Sequence, residues 1–388
     1  MATGTKEMGR MDMPVITVPQ ADPGAAYRAQ QPAIDAALQR ALSSGWYILG
    51  AEGAAFEREF AEWLGLPRAV GCANGTDALM LVLRGLGIGP GMTVATVSHT
   101  AVATVAAIEM VGATPLLLDI DPDTYTMDPD ELAAVLEDPP PGLPPIRAVI
   151  PVHLYGQACA MGPIMAACRA AGVFVIEDCA QAHGATVDGR VVGTLGDAAA
   201  FSLYPTKNLG ALGDAGILAC ADPELADRIA AIRQYGWKHR YLSDSIGVNS
   251  RLDEVQAAVL RVRLPLLDAG NARRAAIAGA YDAALAGGRI APPVRRAGVG
   301  HVFHQYVIRS DERDEMAARL RALGVGSGIH YPVPVHLQGA YVGRTPVGPA
   351  GCAETEAASR EVLSLPIFPE LSDAQVETVC AALRIVAG

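Results

Sequence analysis

Residues 93–120 read TVATVSHTAVATVAAIEMVGATPLLLDI. Two short apolar runs, TVATVS and TPLLLDI, flank AVATVAAIEMVG, which has the length of a helix and closes on a glycine. The same rhythm extends in both directions. Upstream, AVGC (69–72) runs into NGTDALMLVLRGLGI (74–88); downstream, DPDTYTMDPD (121–130) leads into ELAAVLED (131–138). AVIPVHLYG (148–156) is followed by MGPIMAACRAAG (161–172), and VFVIED (173–178) by a loop. Repeated βα units predict an α/β fold with a mostly parallel central sheet between helices, because right-handed crossovers return each strand beside an earlier one. In such sheets ligands sit beyond the C-terminal ends of the strands.

The flanks follow other periods. Residues 33–64 have helical spacing on either side of a break at SSGWYILG (43–50), where Tyr47 is placed to face a ligand. After Gly236 helix takes over: residues 250–287 are apolar on one side and arginine-rich on the other, with Pro265 expected to kink or break the run. From about Ile290, a strand in HVFHQYVIRS (301–310), a helix over 311–324, a strand in IHYPVPVHLQ (329–338) and helices over 353–365 and 373–388 predict a smaller α+β domain. The expected division is a large domain with an N-terminal arm over residues 14–265 and a small C-terminal domain over 266–388. PPPGLPP (139–145) reads as a surface loop between βα units.

Composition narrows the function classes. The 388 residues are 51% hydrophobic and 18% charged, which argues for a packed core, and a net charge of −11 argues against a nucleic-acid surface. Seven scattered cysteines form no CxxC pair, so reduced thiols are expected and no zinc site. Residues 1–13 lack the apolar core of a signal peptide, and no apolar run of about 20 residues exists to span a membrane. A cytoplasmic enzyme is the expectation.

Four stretches fall at strand ends. CANGTDALM (72–80) sets Asn74, Gly75 and Thr76 at a helix start, which serves an anion or simply an N-cap. SHTAVAT (98–104) carries His99, and VFVIEDCAQAHGA (173–185) carries Glu177, Asp178, Gln181 and His183. FSLYPTKNLGALGD (201–214) holds Ser202 and Lys207. The chain has only three lysines, Lys6, Lys207 and Lys238, among 30 basic residues, so Lys207 stands out. A lysine at the mouth of a buried strand is desolvated, its pKa falls, and its free amine attacks carbonyls. On this stretch alone a Schiff base and a structural pair with Asp214 both remain open. Pyridoxal phosphate needs a lysine amine, a carboxylate for the pyridine nitrogen, a donor near the ring hydroxyl and an anion site. Lys207, Asp178, Gln181, and Gly75 and Thr76 with Ser202, supply one of each.

These residues sit in motifs that resemble the DegT-like nucleotide-sugar aminotransferases, a branch of the fold-type I pyridoxal phosphate enzymes. The motifs are YILG (47–50), CANGTDAL, SHTAVAT, DIDPDTYTMD (119–128), PVHLYGQ (151–157), EDCAQAHGA, GDAAAFSLYPTKNLGALGDAG (196–216), GVNSRLDEVQAAVL (247–260) and IHYPVPVHLQ. A weaker match lies in LSLPIFP (363–369). The resemblance implies that Lys207 forms the Schiff base and moves the proton, Asp178 bonds the pyridine nitrogen, and Gln181 contacts the ring hydroxyl. It further implies that Ser202, Gly75 and Thr76 hold the phosphate. Asn249 would reach the cofactor of a second subunit in a homodimer, and Tyr47, His183, Arg251, His330 and Tyr331 would serve the nucleotide-sugar substrate. L-glutamate is the implied amino donor, and the motif versions are most similar to enzymes that aminate C3 of dTDP-3-keto-6-deoxyhexoses. One departure is Ala101, where many members carry an aromatic residue that stacks on the cofactor; His99 is the candidate replacement.

Four alternatives stay within the fold. A C4 aminotransferase on a dTDP- or UDP-4-keto sugar differs only in substrate contacts. A non-catalytic regulator that binds pyridoxal phosphate would keep the fold without turnover. A desulfurase-type enzyme would lack the NSRLDE and IHYP stretches, and a dehydratase would carry histidine in place of Lys207.

Overall fold

In the computed structural model, which describes residues 15–388, the strands of the βα rhythm align in one seven-stranded sheet. Lys6 and the stretch 1–13 lie outside the described residues. In chain order the strands are β1 (Arg68–Cys72), β2 (Thr93–Val97), β3 (Thr114–Leu118), β4 (Ile146–Val149) and β5 (Phe174–Asp178). A small hairpin, β6 (Thr186–Val187) and β7 (Arg190–Val191), precedes β8 (Ala198–Ser202) and β9 (Gly216–Cys220). The spatial order is β1-β9-β8-β5-β4-β2-β3. Pairing is parallel from β8 through β3, and β9 alone runs against its two neighbours.

Helices α1 (Pro23–Ser43) and α2 (Ala51–Leu64) are separated by the break read at residues 43–50. The crossovers are α3 (Gly75–Gly85), α4 (Val102–Met110), α5 (Pro129–Glu137), α6 (Met161–Ala171) and α7 (Pro223–Ile232). Asn74, Asp128 and Asp222 cap α3, α5 and α7 by accepting backbone N–H bonds, which satisfies donors that a helix start leaves orphaned. Between the layers Val94, Ala95, Leu116, Leu118, Val175 and Ile176 are fully buried. Burial of each such aliphatic side chain larger than alanine contributes about 1.5–3 kcal/mol.

A hairpin, β10 (Trp237–His239) and β11 (Leu242–Ser243), follows α7. The long helical run is broken at Pro265: α8 (Glu254–Arg263) passes through a tight turn at Leu264–Leu266 into α9 (Leu267–Leu285). Beyond it lie β12 (Val299–Gly300), β13 (Tyr306–Arg309), α10 (Arg313–Ala322), α11 (Ala353–Glu361), β14 (Val362–Leu365) and α12 (Asp373–Ala387). β13 pairs antiparallel with β14 over a core that includes Tyr281, Tyr306 and Leu320.

Three expectations are corrected here. IHYPVPVHLQ is no strand: Pro332 and Pro334 supply no N–H, and only a bridge from Gly328 to Ser364 and a turn at Val335–Leu337 form. VLSL, expected as the end of a helix, is β14. The N-terminal arm is shared, its start joining the C-terminal unit while α1 packs through Ala37 and Ala41 on Ala258 of the large one. Thr17 and Val18 donate to Gly324 O, and Val18 is buried in the core with Tyr281 and Val325. β12 goes the other way, pairing with β6 of the first unit.

Candidate active site

β5 ends in two acids whose side chains leave on opposite faces, as strand alternation requires. Glu177 is fully buried and accepts N–H bonds from Gly193 (2.8 Å), Leu195 (2.8 Å) and Gly196 (2.7 Å). His153 Nε2 lies 3.1 Å from it. Burial pushes this carboxyl up, but His153 and the backbone donors outweigh that and hold it below the ordinary value. His153, Glu177 and Cys179 come within metal-ligand reach of one another. Their atoms are already engaged, since His153 Nδ1 accepts from Cys159 N at 3.0 Å, and burial pushes the Cys179 thiol up to about 12. The group is a buttress for the strand end.

Asp178 lines a cavity of about 350 Å³ at the C-terminal edge of the sheet. Its carboxylate accepts from Thr104 Oγ1 (2.8 Å) and Ala180 N (3.1 Å). Burial raises its pKa; the two donors and the positive charge of Lys207 oppose that rise.

Lys207, at the turn after β8, lines the same cavity. It is half-buried, and its amine makes no hydrogen bond or ion pair among the described residues. Desolvation lowers its pKa to about 8 against the pull of Asp178. Asp214 also lines the cavity but forms no ion pair with Lys207, so a structural Lys207–Asp214 pair is not what the fold builds.

Gly75 opens α3 directly against the end of β8. A Cβ there would stand 2.7 Å from Ser202 Cβ, so only glycine permits this approach. Asn74 Oδ1 takes the N–H of Asp77 at 2.8 Å. The N–H groups of Gly75 and Thr76 find no acceptor among the described residues and border the cavity beside Ser202. On the far wall Gln181 Oε1 accepts from Tyr155 N (2.7 Å), and its Nε2 donates to Tyr331 OH (3.0 Å). His330 bonds Ser364 Oγ through Nδ1 at 2.8 Å, and burial with the nearby Lys207 charge lowers its pKa to about 4.

The structure thus brings together Gly75, Thr76, Asp178, Gln181, Ser202, Lys207, His330 and Tyr331. His183 is a correction: it is fully buried against Phe201, and neither ring nitrogen reaches a surface or a partner. Desolvation and Lys207 lower it to about 3, so it is a neutral packing residue and lines no part of the cavity. His99 is a second correction. Its ring is buried between Tyr125 and Tyr155, with Nε2 2.8 Å from Tyr155 OH, so it does not stack over the cavity; Ala101 leaves that wall open.

Tyr47, Asn249 and Arg251 do not line the cavity of their own chain. They belong to a shelf built elsewhere. Glu254, nearly inaccessible, accepts N–H bonds from Gly50 (2.8 Å), Glu52 (2.8 Å) and Gly53 (2.9 Å) at the start of α2, and its own N–H donates to Tyr47 O. Ser250 donates to Asp77 (2.7 Å) and accepts from Ala73 N (3.1 Å). Asn249 and Tyr47 are exposed on this frame.

Sequence reasoning passed over Thr104, although it lies in the SHTAVAT stretch; its helical offset from Thr100, to which it bonds at 3.1 Å, was the available signal. His304 was also passed over. It borders the cavity and meets Asn208 at 3.2 Å, and nothing local in HVFHQYVIRS marks it.

A family model described as the DegT/DnrJ/EryC1/StrS aminotransferase family matches residues 29–384. The chain is 44% identical over 369 residues to a dTDP-3-amino-3,4,6-trideoxy-alpha-D-glucose transaminase of Streptomyces venezuelae, covering 95% of each chain. Among solved structures it is similar to S. venezuelae DesV in complex with a ketimine intermediate, with TM-score 0.90 and 44% identity over 95% of this chain and 98% of that one. It is also similar to NtdA of Bacillus subtilis with bound cofactor PMP, with TM-score 0.86 and 27% identity over 97% and 87% of the two chains.

Proposed function

The chain belongs to the DegT/DnrJ/EryC1/StrS aminotransferase family, and from that premise we propose that it aminates C3 of a dTDP-linked 3-keto-6-deoxyhexose with L-glutamate as donor. The observation that carries the reading is the unpaired, desolvated Lys207 amine across one cavity from the buried Asp178 carboxylate.

Pyridoxal phosphate fits the residues present. The free N–H groups of Gly75 and Thr76 with Ser202 suit a phosphate at a helix N-terminus. Asp178, whose burial disfavours an uncompensated charge, suits a protonated ring nitrogen. When bound, the cofactor supplies the electron sink that transamination needs. Asp178, oriented by Thr104 and Ala180 N, would hold the proton on that nitrogen, and Gln181 would serve the ring hydroxyl. Lys207, whose free-amine fraction is raised by its lowered pKa of about 8, takes the proton from the donor Cα and returns one to the sugar carbon. His330 and Tyr331 wall the sugar side.

The shelf of Tyr47, Asn249 and Arg251 then serves the cavity of a second copy, so the working unit is a homodimer with shared sites. Among the described residues no helix is long and apolar enough to cross a membrane. The test is amination of a panel of 3-keto and 4-keto dTDP- and UDP-sugars, with product NMR. Nitrogen at C3 of a dTDP-3-keto sugar is the expected result. Nitrogen at C4, or no turnover on the whole panel, would overturn the reading.

A further inference from the structure

Behind the wall that carries Gln181, His330 and Tyr331 lies a buried polar chain whose own members line no part of the cavity. They come from three distant segments: His99 just after β2, Tyr155 in the turn after β4, and Ser359 on α11. All three are nearly inaccessible. His99 Nδ1 lies 3.4 Å from Ser359 Oγ, His99 Nε2 lies 2.8 Å from Tyr155 OH, and Tyr155 OH donates to His330 O.

One group sets the direction of every bond in this chain. A backbone carbonyl only accepts, so His330 O takes the Tyr155 proton. The phenol oxygen must then accept, which places the His99 proton on Nε2 and leaves Nδ1 as the acceptor for Ser359. Both rings stay in the form this requires. Burial lowers the His99 pKa to about 4 and raises that of Tyr155, so the imidazole is neutral and the phenol keeps its proton. In a buried chain each bond also polarises the next.

The backbone of Tyr155 fixes the rest of the wall. Its φ of 60° is left-handed, a conformation that residues other than glycine seldom adopt and that neighbours must hold. Its N–H donates to Gln181 Oε1 at 2.7 Å, and its O accepts from Gln305 N at 3.2 Å. With Oε1 taken, the Gln181 amide turns Nε2 to Tyr331 OH, 3.0 Å away. The Tyr331 oxygen therefore accepts, and its own proton has no acceptor among the described residues. Burial pushes that phenol up to about 12, so it stands in the cavity wall as a donor. Ser364 and Gly328 hold this segment only to the C-terminal unit. Tyr155 ties it to the sheet edge that carries Asp178.

We propose that Tyr155 is a positioning residue for the sugar side of the site. Its O–H, ordered by His99, holds the His330 carbonyl, and its N–H orders Gln181. His330 and Tyr331 thus stand in place before substrate arrives, and Tyr331 offers its O–H to an acceptor oxygen of the sugar. The part that His330 and Tyr331 play toward a nucleotide sugar rests on the aminotransferase reading above; the hydrogen-bond chain does not.

The test labels the histidine rings of the cofactor-loaded protein with nitrogen-15; with eight histidines, each signal is assigned by substitution. His99 should carry its proton on Nε2. Tyr155→Phe, which removes only the hydroxyl, should shift the signals of both His99 and His330. The same variant should raise KM for the nucleotide sugar roughly 5–10-fold, as expected for one lost hydrogen bond, with kcat within about 2-fold of the parental value. His99→Leu, which cannot donate to Tyr155, should raise KM likewise, and His99→Gln, whose amide can, should restore it. A chain that only filled space would favour leucine over glutamine, and this pair decides the matter even where Tyr155→Phe compromises folding. A His99 proton on Nδ1, or parental KM in Tyr155→Phe or in a folded His99→Leu, overturns the proposal. If no keto sugar is aminated, the acceptor assignment falls and the signals decide: an unmoved His330 in Tyr155→Phe overturns the positioning role, and a shifted one upholds it.

Discussion

The strand-end cavity and the shelf of residues 47–50 and 249–254 use buried polar groups in opposite ways. At the cavity, Asp178 is buried and hydrogen-bonded yet still borders open space, and Lys207 is desolvated without a partner. On the shelf, the buried groups Glu254 and Ser250 are wholly occupied with backbone and Asp77, while the side chains of Tyr47 and Asn249 stand in solvent. The first region is a site within one chain. The second is a frame that presents side chains outward, which is what a contribution to another copy requires.

The largest effect separating the two should come from Lys207→Ala. Removing the proton carrier is expected to lower turnover by about 10²–10⁴-fold or more and to abolish the near-visible cofactor absorbance. Asp178→Asn should leave the fold intact and lower turnover by about 10²-fold or more. Turnover near the parental value in either variant would mean that the cavity is not where the reaction occurs.

Hybrid dimers break the comparison more directly. Lys207→Ala and Asn249→Ala chains, each nearly inactive alone, should regain one working site per hybrid dimer when mixed. That follows only if Asn249 serves the other chain, because each hybrid then holds one cavity with both residues intact. No recovery on mixing would return Asn249 to its own chain.

A smaller effect sharpens the role of the frame. Glu254→Ala leaves three N–H groups of the α2 start without their acceptor and should cost about 1–3 kcal/mol of stability, read by urea unfolding. KM for the nucleotide sugar should rise more than kcat falls, since the frame positions Tyr47, Asn249 and Arg251 without touching Lys207. Glu254→Gln, which keeps one acceptor, should lie between.

The smallest is a pH effect. The pKa of Lys207 lies below the ordinary lysine value, so its free-amine fraction grows as pH rises through about 8 and saturates above. Uptake of pyridoxal phosphate by cofactor-free protein should therefore accelerate from pH 7 to 9 and level off. A midpoint near 10.5 would show an amine that is not desolvated.

Much of this was legible along the chain because its signals are local. Apolar runs such as TVATV and TPLLL, short and repeated between helix-length segments, read as interior strands, Pro265 lacks the N–H that an unbroken helix needs, and Gly75 opens a helix. Position within a motif failed where the outcome depended on facing. His183 and Gln181 are two residues apart, yet only Gln181 borders the cavity, while His183 turns onto Phe201. IHYPVPVHLQ alternates like a strand but its prolines remove the donors that pairing requires.

By itself the sequence determined the βα order, the strand-end placement of Asp178 and Ser202, and the isolation of Lys207 from other basic residues, since each follows from residue type and spacing. Only the tertiary structure decided which polar groups keep a free face. That depends on what distant segments bring: Thr104 to Asp178 from 74 residues away, and Glu254 to Gly50 from 204. Burial and pairing are properties of the assembled surface, and so the division between cavity, buttress and shelf appears only once the chain has folded.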